Sequence, residues 1–188
     1  MTRFITLLIC AFICIPTIST ASTLWESVQK NSKITFISSY DGIDFEGEFN
    51  RFHAEFAFNT NNEHEQYLHS VVDVTSINTN SHDRDQAIAE PDWFHFSKFP
   101  KASFTSRTVN QLEDGTFRVS GTIQIRDQSR EISFPLTWED MQNGTARAIA
   151  VFELDRRDFN IGLGEWKEDE TIGFNVVVSI QILFKLKQ

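Results

Sequence analysis

From Ser32 onward the chain alternates apolar and polar residues with a period of two. Eight runs carry the pattern: "ITF" continuing into "ISS", then "EFNRFHAEFAFN", "LHSVVDVTSINT", "ASFTSRTV", "TFRVSGTIQIR", "EISFPLTW", "TARAIAVFELD" and "TIGFNVVVSIQILFKLK". Turn formers separate them, as in "EDG" at Glu113–Gly115 and "QNG" at Gln142–Gly144. Successive strand residues face opposite ways, so the period predicts half-buried strands and an all-β domain. In the last run Ile172, Phe174, Val176, Val178, Ile180, Ile182, Phe184 and Leu186 hold every second position. At about 3.3 Å per residue such a strand is on the order of 45–50 Å long, which suits a tall barrel or an extended sandwich.

The second run changes parity. Phe45, Gly47 and Phe49 share one face, whereas Phe52, Ala54, Phe56 and Phe58 share the other numerical parity. A bulge or sharp bend near Asn50–Arg51 restores both sets to one side, and such breaks help a sheet curl. One segment alone reads as helix, Ser81–Glu90, between the third and fourth strands. Asn80 or Ser81 caps it, Asp83 and Asp85 complement the positive end of its dipole, and Pro91 stops it. Directly after it, "EPDWFHFSKFP" places Trp93, Phe94, Phe96 and Phe99 within one short stretch of a chain that holds 18 Phe in all. If that stretch is extended, its rings cannot all point inward. Trp93 and Phe94 are expected over an interior channel, Phe96 and Phe99 in the core.

Composition narrows the setting. The first residues carry Arg3, an apolar run from Phe4 to Ile15, Pro16, and small residues at Ser19 and Ala21. That order predicts a signal peptide over residues 1–21, leaving 22–188 as one exported domain; a run of about 12 apolar residues is short of the roughly 20 that span a bilayer. Both cysteines, Cys10 and Cys14, fall inside it. The exported domain is thus held by its core alone, and thiolate metal sites or a cysteine nucleophile are excluded. The formal charge of −9, more negative still without Arg3, repels phosphate backbones, so nucleic-acid binding is not expected.

Catalytic motifs are sparse. "GxSxG" and "GxxxxGK[ST]" are absent, and so is the C-x-x-C-H haem attachment motif. His64 and His69 stand five apart with acids between, a weak metal signal that reads better as a solvated loop. Two charged clusters are ambiguous. "DRRDFNIGLGEW" (155–166) is either a polar loop that caps a barrel end, with Gly162 and Gly164 supplying unusual backbone angles, or a rim where Arg156 or Arg157 meets a ligand head group. Arg84 in "HDRD" either bridges its helix to neighbouring groups or joins that rim.

Three blocks in order, "SINTNSHDRDQAIAEPDWFHFSKFPKASFTS", "VSGTIQIRDQSREISFPL" and "DRRDFNIGLGEW", resemble the YceI-like polyisoprenoid-binding proteins. The resemblance implies an extended eight-stranded antiparallel barrel of lipocalin-like shape, located in the periplasm. It also implies a polyisoprenoid or isoprenoid quinone tail held in an apolar channel, with no catalysis and no cofactor beyond that lipid. His95 departs from the acidic residue usual in relatives after the aromatic pair, and Asp127 from a common hairpin glycine. With strand parity, the resemblance nominates as channel lining Phe36, Phe49, Val72, Val74, Trp93, Phe94, Phe104, Ile123, Phe134, Trp138, Val151, Phe159, Ile161, Trp166, Phe174, Val176 and Val178. Arg84, His95, Arg156 and Arg157 are nominated as a head-group rim. Two alternatives stand beside the lipid carrier. One is a module docking on a cytochrome b-type membrane redox partner, and the other an enzyme using His95 with Asp85 or Asp158 on a hydrophobic substrate.

Overall fold

The alternating runs close on themselves. A computed structural model describes residues 23–58, 66–168 and 171–187; the expected signal peptide and His64 lie outside them. Its elements are β1 (Thr23–Tyr40), β2 (Ile43–Phe49), β3 (Phe52–Phe58), β4 (Tyr67–Asp73), β5 (Ile77–Asn78), α1 (His82–Ala89), β6 (Lys101–Gln111), β7 (Phe117–Ile125), β8 (Gln128–Asp140), β9 (Thr145–Asp155) and β10 (Asn175–Leu186). The antiparallel order β10-β9-β8-β7-β6-β4-β3-β1 is closed by β1 pairing with β10. The β2 and β3 segments form one bent strand, as do β4 and β5, so the eight runs become the eight staves of a closed barrel.

The bends have a common cause. At Asn50–Arg51 and across the 3-10 turn Val74–Ser76, two neighbouring strands break side by side, and each break satisfies the other's backbone. The Asn50 amide donates to the Ser76 carbonyl at 3.1 Å and the Arg51 amide to Ser76 Oγ at 2.9 Å. Arg51 Nε reaches Asp73 Oδ2 at 2.9 Å. The Asp73 amide in turn bonds to the Arg51 carbonyl at 2.9 Å, so backbone groups freed by the bends find partners across them, and Phe49 and Phe52 both face inward despite opposite parity. A second irregularity lies in β1, where the register jumps between Val28 and Lys33 against β10. There Ser32 Oγ donates to the Val28 carbonyl and accepts the Leu183 amide at 2.9 Å.

The two ends of the barrel differ. At one end Trp25, Phe56, Phe117, Trp138 and Phe184 form an aromatic floor; the Phe56 and Trp138 ring centroids are 4.7 Å apart and those of Trp138 and Phe184 5.4 Å. Phe56 and Phe184 are almost wholly buried. At the other end lie α1, the turns of residues 90–99, the β7–β8 hairpin and the segments 156–168 and 171–173, which together cover the barrel. Ser81 caps α1 by accepting the Arg84 amide, and the helix ends at Ala89 because Glu90, which precedes Pro91, is extended. β10 begins at Asn175, later than its alternation suggests, since Ile172 only bridges to Tyr40 and the Gly173 amide bonds to the Ser39 carbonyl.

Candidate binding site

Between floor and cover the barrel is hollow. The cavity measures about 620 Å³ and its wall is almost entirely aliphatic and aromatic. β10 contributes Val176, Val178, Ile180, Ile182 and Phe184, and β1 contributes Ile34, Phe36, Ser38 and Tyr40. On β3, β6 and β9, Ala54, Ala102, Ala148 and Ala150 present methyl groups where larger side chains would fill the bore. That substitution of small for large is what leaves the space, because an interior packed at normal density has no void of this size. The mouth is bounded by Tyr40 and Phe45 of the β1–β2 hairpin, by Ser81, Asp83, Arg84 and Ala87 of the helix, and by Ile172.

The nominated lining residues divide by place. Phe36, Phe49, Val72, Val74, Trp93, Phe94, Phe104, Ile123, Phe134, Phe159, Ile161, Trp166, Val176 and Val178 all border the cavity. Three do not. Val151 points outward with 52% exposure, because the inward set on β9 is Ala146, Ala148, Ala150 and Phe152. Trp138 has the inward parity but sits at the floor, facing a separate pocket of about 290 Å³ at the far end. Phe174 lies before β10, with the guanidinium carbons of Arg157 and Arg156 at 3.9 and 5.0 Å from its ring centroid. The "EPDWFHFSKFP" stretch is a series of turns rather than a strand. Phe96 and Phe99 are half-buried, not core: Phe96 lies against Phe94, and Phe99 lies near Lys98 and Arg126.

The rim residues also separate. Arg156 is buried at 3% exposure and spends its guanidinium on five backbone carbonyls. Nε donates to Gly173, Nη1 to Ile161 and Gly162, and Nη2 to Trp166 and Ile172, at 2.8–3.3 Å. It therefore organises the covering loop, and the glycine pair does adopt the expected left-handed angles, φ 78° at Gly162 and 61° at Gly164. Arg157 is exposed and paired with Asp155, whose carboxyl that hydrogen bond holds below its ordinary value. His95 takes a left-handed backbone angle and packs edge-on against Phe99 rather than facing the mouth. Asp85 accepts bonds from Thr79, and Asp158 pairs with Arg130 at 3.7 Å. Among the described residues no bond joins His95 to either acid. Of the four, Arg84 and Arg156 border the cavity: Arg156 beneath the covering loop, and Arg84 at the mouth, where Nε donates to Thr79 Oγ1 at 3.0 Å and the guanidinium carbon lies 4.0 Å from the Phe45 ring centroid.

One residue had no prior nomination. Arg126, in the two-residue β7–β8 turn, is buried and donates through Nη1 to the carbonyls of Trp93 and Asn160, so it ties the aromatic turns to the 156–168 segment. Burial lowers its pKa from the ordinary value. It also takes the positive φ of the hairpin, 56°, so Asp127 is not the residue that bears the left-handed turn. The Asp92 carbonyl joins the same cover by accepting the Gly162 and Leu163 amides, both at 2.8 Å, and the Trp93 and Trp166 rings meet at a tilt with centroids 5.9 Å apart. Among the described residues no Cys or His borders the cavity, and no group of three or more His, Cys, Asp or Glu could hold a metal ion.

Comparison with known proteins follows the geometry. The YceI-like domain family matches residues 25–184. A UPF0312 protein of Vibrio vulnificus is 31% identical over 137 residues, covering 70% of this chain and 72% of the relative; one from Vibrio parahaemolyticus is 28% identical over the same span. Among solved structures, BcnA of Burkholderia cenocepacia superposes with a TM-score of 0.78 at 23% identity, covering 84% of this chain and 98% of that one. A polyisoprenoid binding domain from Saccharophagus degradans, implicated in plant cell wall breakdown, superposes at 0.70 and 14% identity, covering 89% and 100%.

Proposed function

The chain belongs to the YceI-like domain family, and from that premise we propose that it is an exported, non-catalytic carrier whose barrel holds the tail of an isoprenoid lipid. One observation carries the reading: a hollow of about 620 Å³ whose wall is nearly free of polar groups. An apolar tail transferred there gains about 0.8 kcal/mol per methylene removed from water, whereas a water molecule would find few hydrogen-bond partners. The likeness to a polyisoprenoid binding domain supports the ligand class. The segment of residues 1–21 supports export, in our reading to a periplasm.

The polar end of the ligand meets Arg84 and Ser81 at the mouth, which suits a hydroxyl, a carbonyl or a quinone ring as hydrogen-bond acceptor. Asp83 beside them disfavours a multiply charged anion. Native mass spectrometry of the protein purified from its own host, followed by solvent extraction, tests the assignment. One isoprenoid per chain is expected. An empty barrel that also refuses added prenyl lipids refutes it. Trp93→Ala combined with Phe94→Ala should release the lipid faster while costing less stability than a core truncation, since both rings are only half-buried.

A further inference from the structure

We propose that the aromatic floor is a length stop, limiting the buried part of the ligand to about four isoprene units; this rests on the lipid-binding reading above. Two independent measures of the bore agree. By volume, condensed matter takes about 30 Å³ per water-sized group, so 620 Å³ holds about twenty carbon-sized groups, or about four units of five carbons. By length, the lining of β10 runs from Val176 to Phe184. Eight steps at about 3.3 Å, along a strand tilted about 40° to the barrel axis, give a depth of about 20 Å. An extended isoprene unit adds four chain bonds, close to 5 Å, so the depth again takes about four.

The floor is thin and has space behind it. Phe184 borders the upper cavity, its ring 5.4 Å from Trp138, and Trp138 borders the lower pocket of about 290 Å³ together with Trp25, Phe56 and Phe117. Tilted and edge-on ring contacts at 4.7–6.2 Å hold these aromatics in place. Removing the Trp138 indole joins the two spaces and lengthens the bore by nearly half its volume. Enlarging Ala148, which lines the deep end beside Ile182, shortens it.

The experiment measures displacement of a fluorescent farnesyl probe from the mature protein by geraniol, farnesol, geranylgeraniol and solanesol, which carry two, three, four and nine units. For the unaltered protein, affinity should climb at least about tenfold per unit up to geranylgeraniol and then level, the remainder of solanesol lying outside the bore. Trp138→Leu should move the levelling point beyond four units, and Ala148→Leu should move it to three or fewer. Affinity that keeps climbing from geranylgeraniol to solanesol in the unaltered protein overturns the proposal, as does a levelling point that neither variant moves. If Trp138→Leu does not fold, the unaltered profile and Ala148→Leu decide the matter. Failure of folded protein to bind the probe or any prenol sinks the lipid-binding reading itself, a different result from binding without a length limit.

Discussion

Replacing Arg156 by Met separates an organiser of the cover from a binder of head groups. The variant keeps an unbranched side chain but removes the donors of five carbonyls spread over residues 161–173. Each carbonyl left without a donor costs on the order of 1 kcal/mol, so the set costs about 5. Sparing the desolvation of a buried cation returns about 1–2 kcal/mol. A net loss of about 3–4 kcal/mol, or about 10 °C in Tm, should appear in urea and thermal unfolding followed by tryptophan fluorescence. The Gly162 and Leu163 amides, which bond to the Asp92 carbonyl, should exchange with solvent faster. Arg156→Lys should recover part of the loss, since an ammonium cannot reproduce the planar fork. Gly162→Ala should mimic Arg156→Met, because its Cβ would lie 2.3 Å from Arg156 Nη1 at a φ of +78°. A loss below about 1 kcal/mol with unchanged exchange, accompanied by weaker lipid affinity, would refute the reasoning and return Arg156 to the rim.

Two further outcomes test facing and charge. Val151→Lys should be nearly neutral in unfolding because that side chain is half exposed, whereas Ala150→Lys on the next position, 3% exposed and bordering the cavity, should cost several kcal/mol; equal effects would overturn the assignment of faces. Hydrogen bonds from Lys187 to Glu55, Thr75 to Asp73 and Arg157 to Asp155 hold those carboxyls below their ordinary values. The folded state therefore binds fewer protons than the unfolded chain, so this stability is present above the ordinary 4.5 of Glu and 3.8 of Asp. It fades as pH falls through the lower folded-state values, and an unfolding midpoint that stays flat through that acid window would contradict it.

The strand pattern disclosed the all-β domain well because one face of each strand is dry and the other wet, while the choice of barrel over sandwich came from the family resemblance. The break at Asn50–Arg51 was legible for the same reason, since Phe49 and Phe52 can share an interior only across a bend. The interior itself was harder to read. On β9 the β-branched Ile149 and Val151 face away from the cavity, while Ala148 and Ala150 face it beside Phe152 and Leu154; a hollow needs some small inward residues, so the size of a single side chain is a poor guide to its facing. Trp138 had the right parity and the wrong depth, which a period of two does not encode. The arginine clusters stayed ambiguous in the sequence because Arg156 finds its partners in loop carbonyls, and backbone acceptors carry no sequence signature. Arg126 escaped notice altogether: its two partners, Trp93 and Asn160, come from segments that meet it only in the fold.

The seam between β1 and β10 joins the start of the described chain to its end: the Leu183 amide bonds to Ser32 Oγ, 151 positions away in sequence. Until the final strand is available, the other staves form an open sheet whose two edge strands are exposed and whose lining faces water. Such a chain pays its largest loop-closure entropy last, which makes folding slow. Under the export proposed above, that delay would be useful, because the same seam would keep the unfinished chain from closing until its C-terminal residues had followed the rest across. The cost is a period in which free strand edges can pair with other chains, so deletion of β10 should leave an open sheet that aggregates.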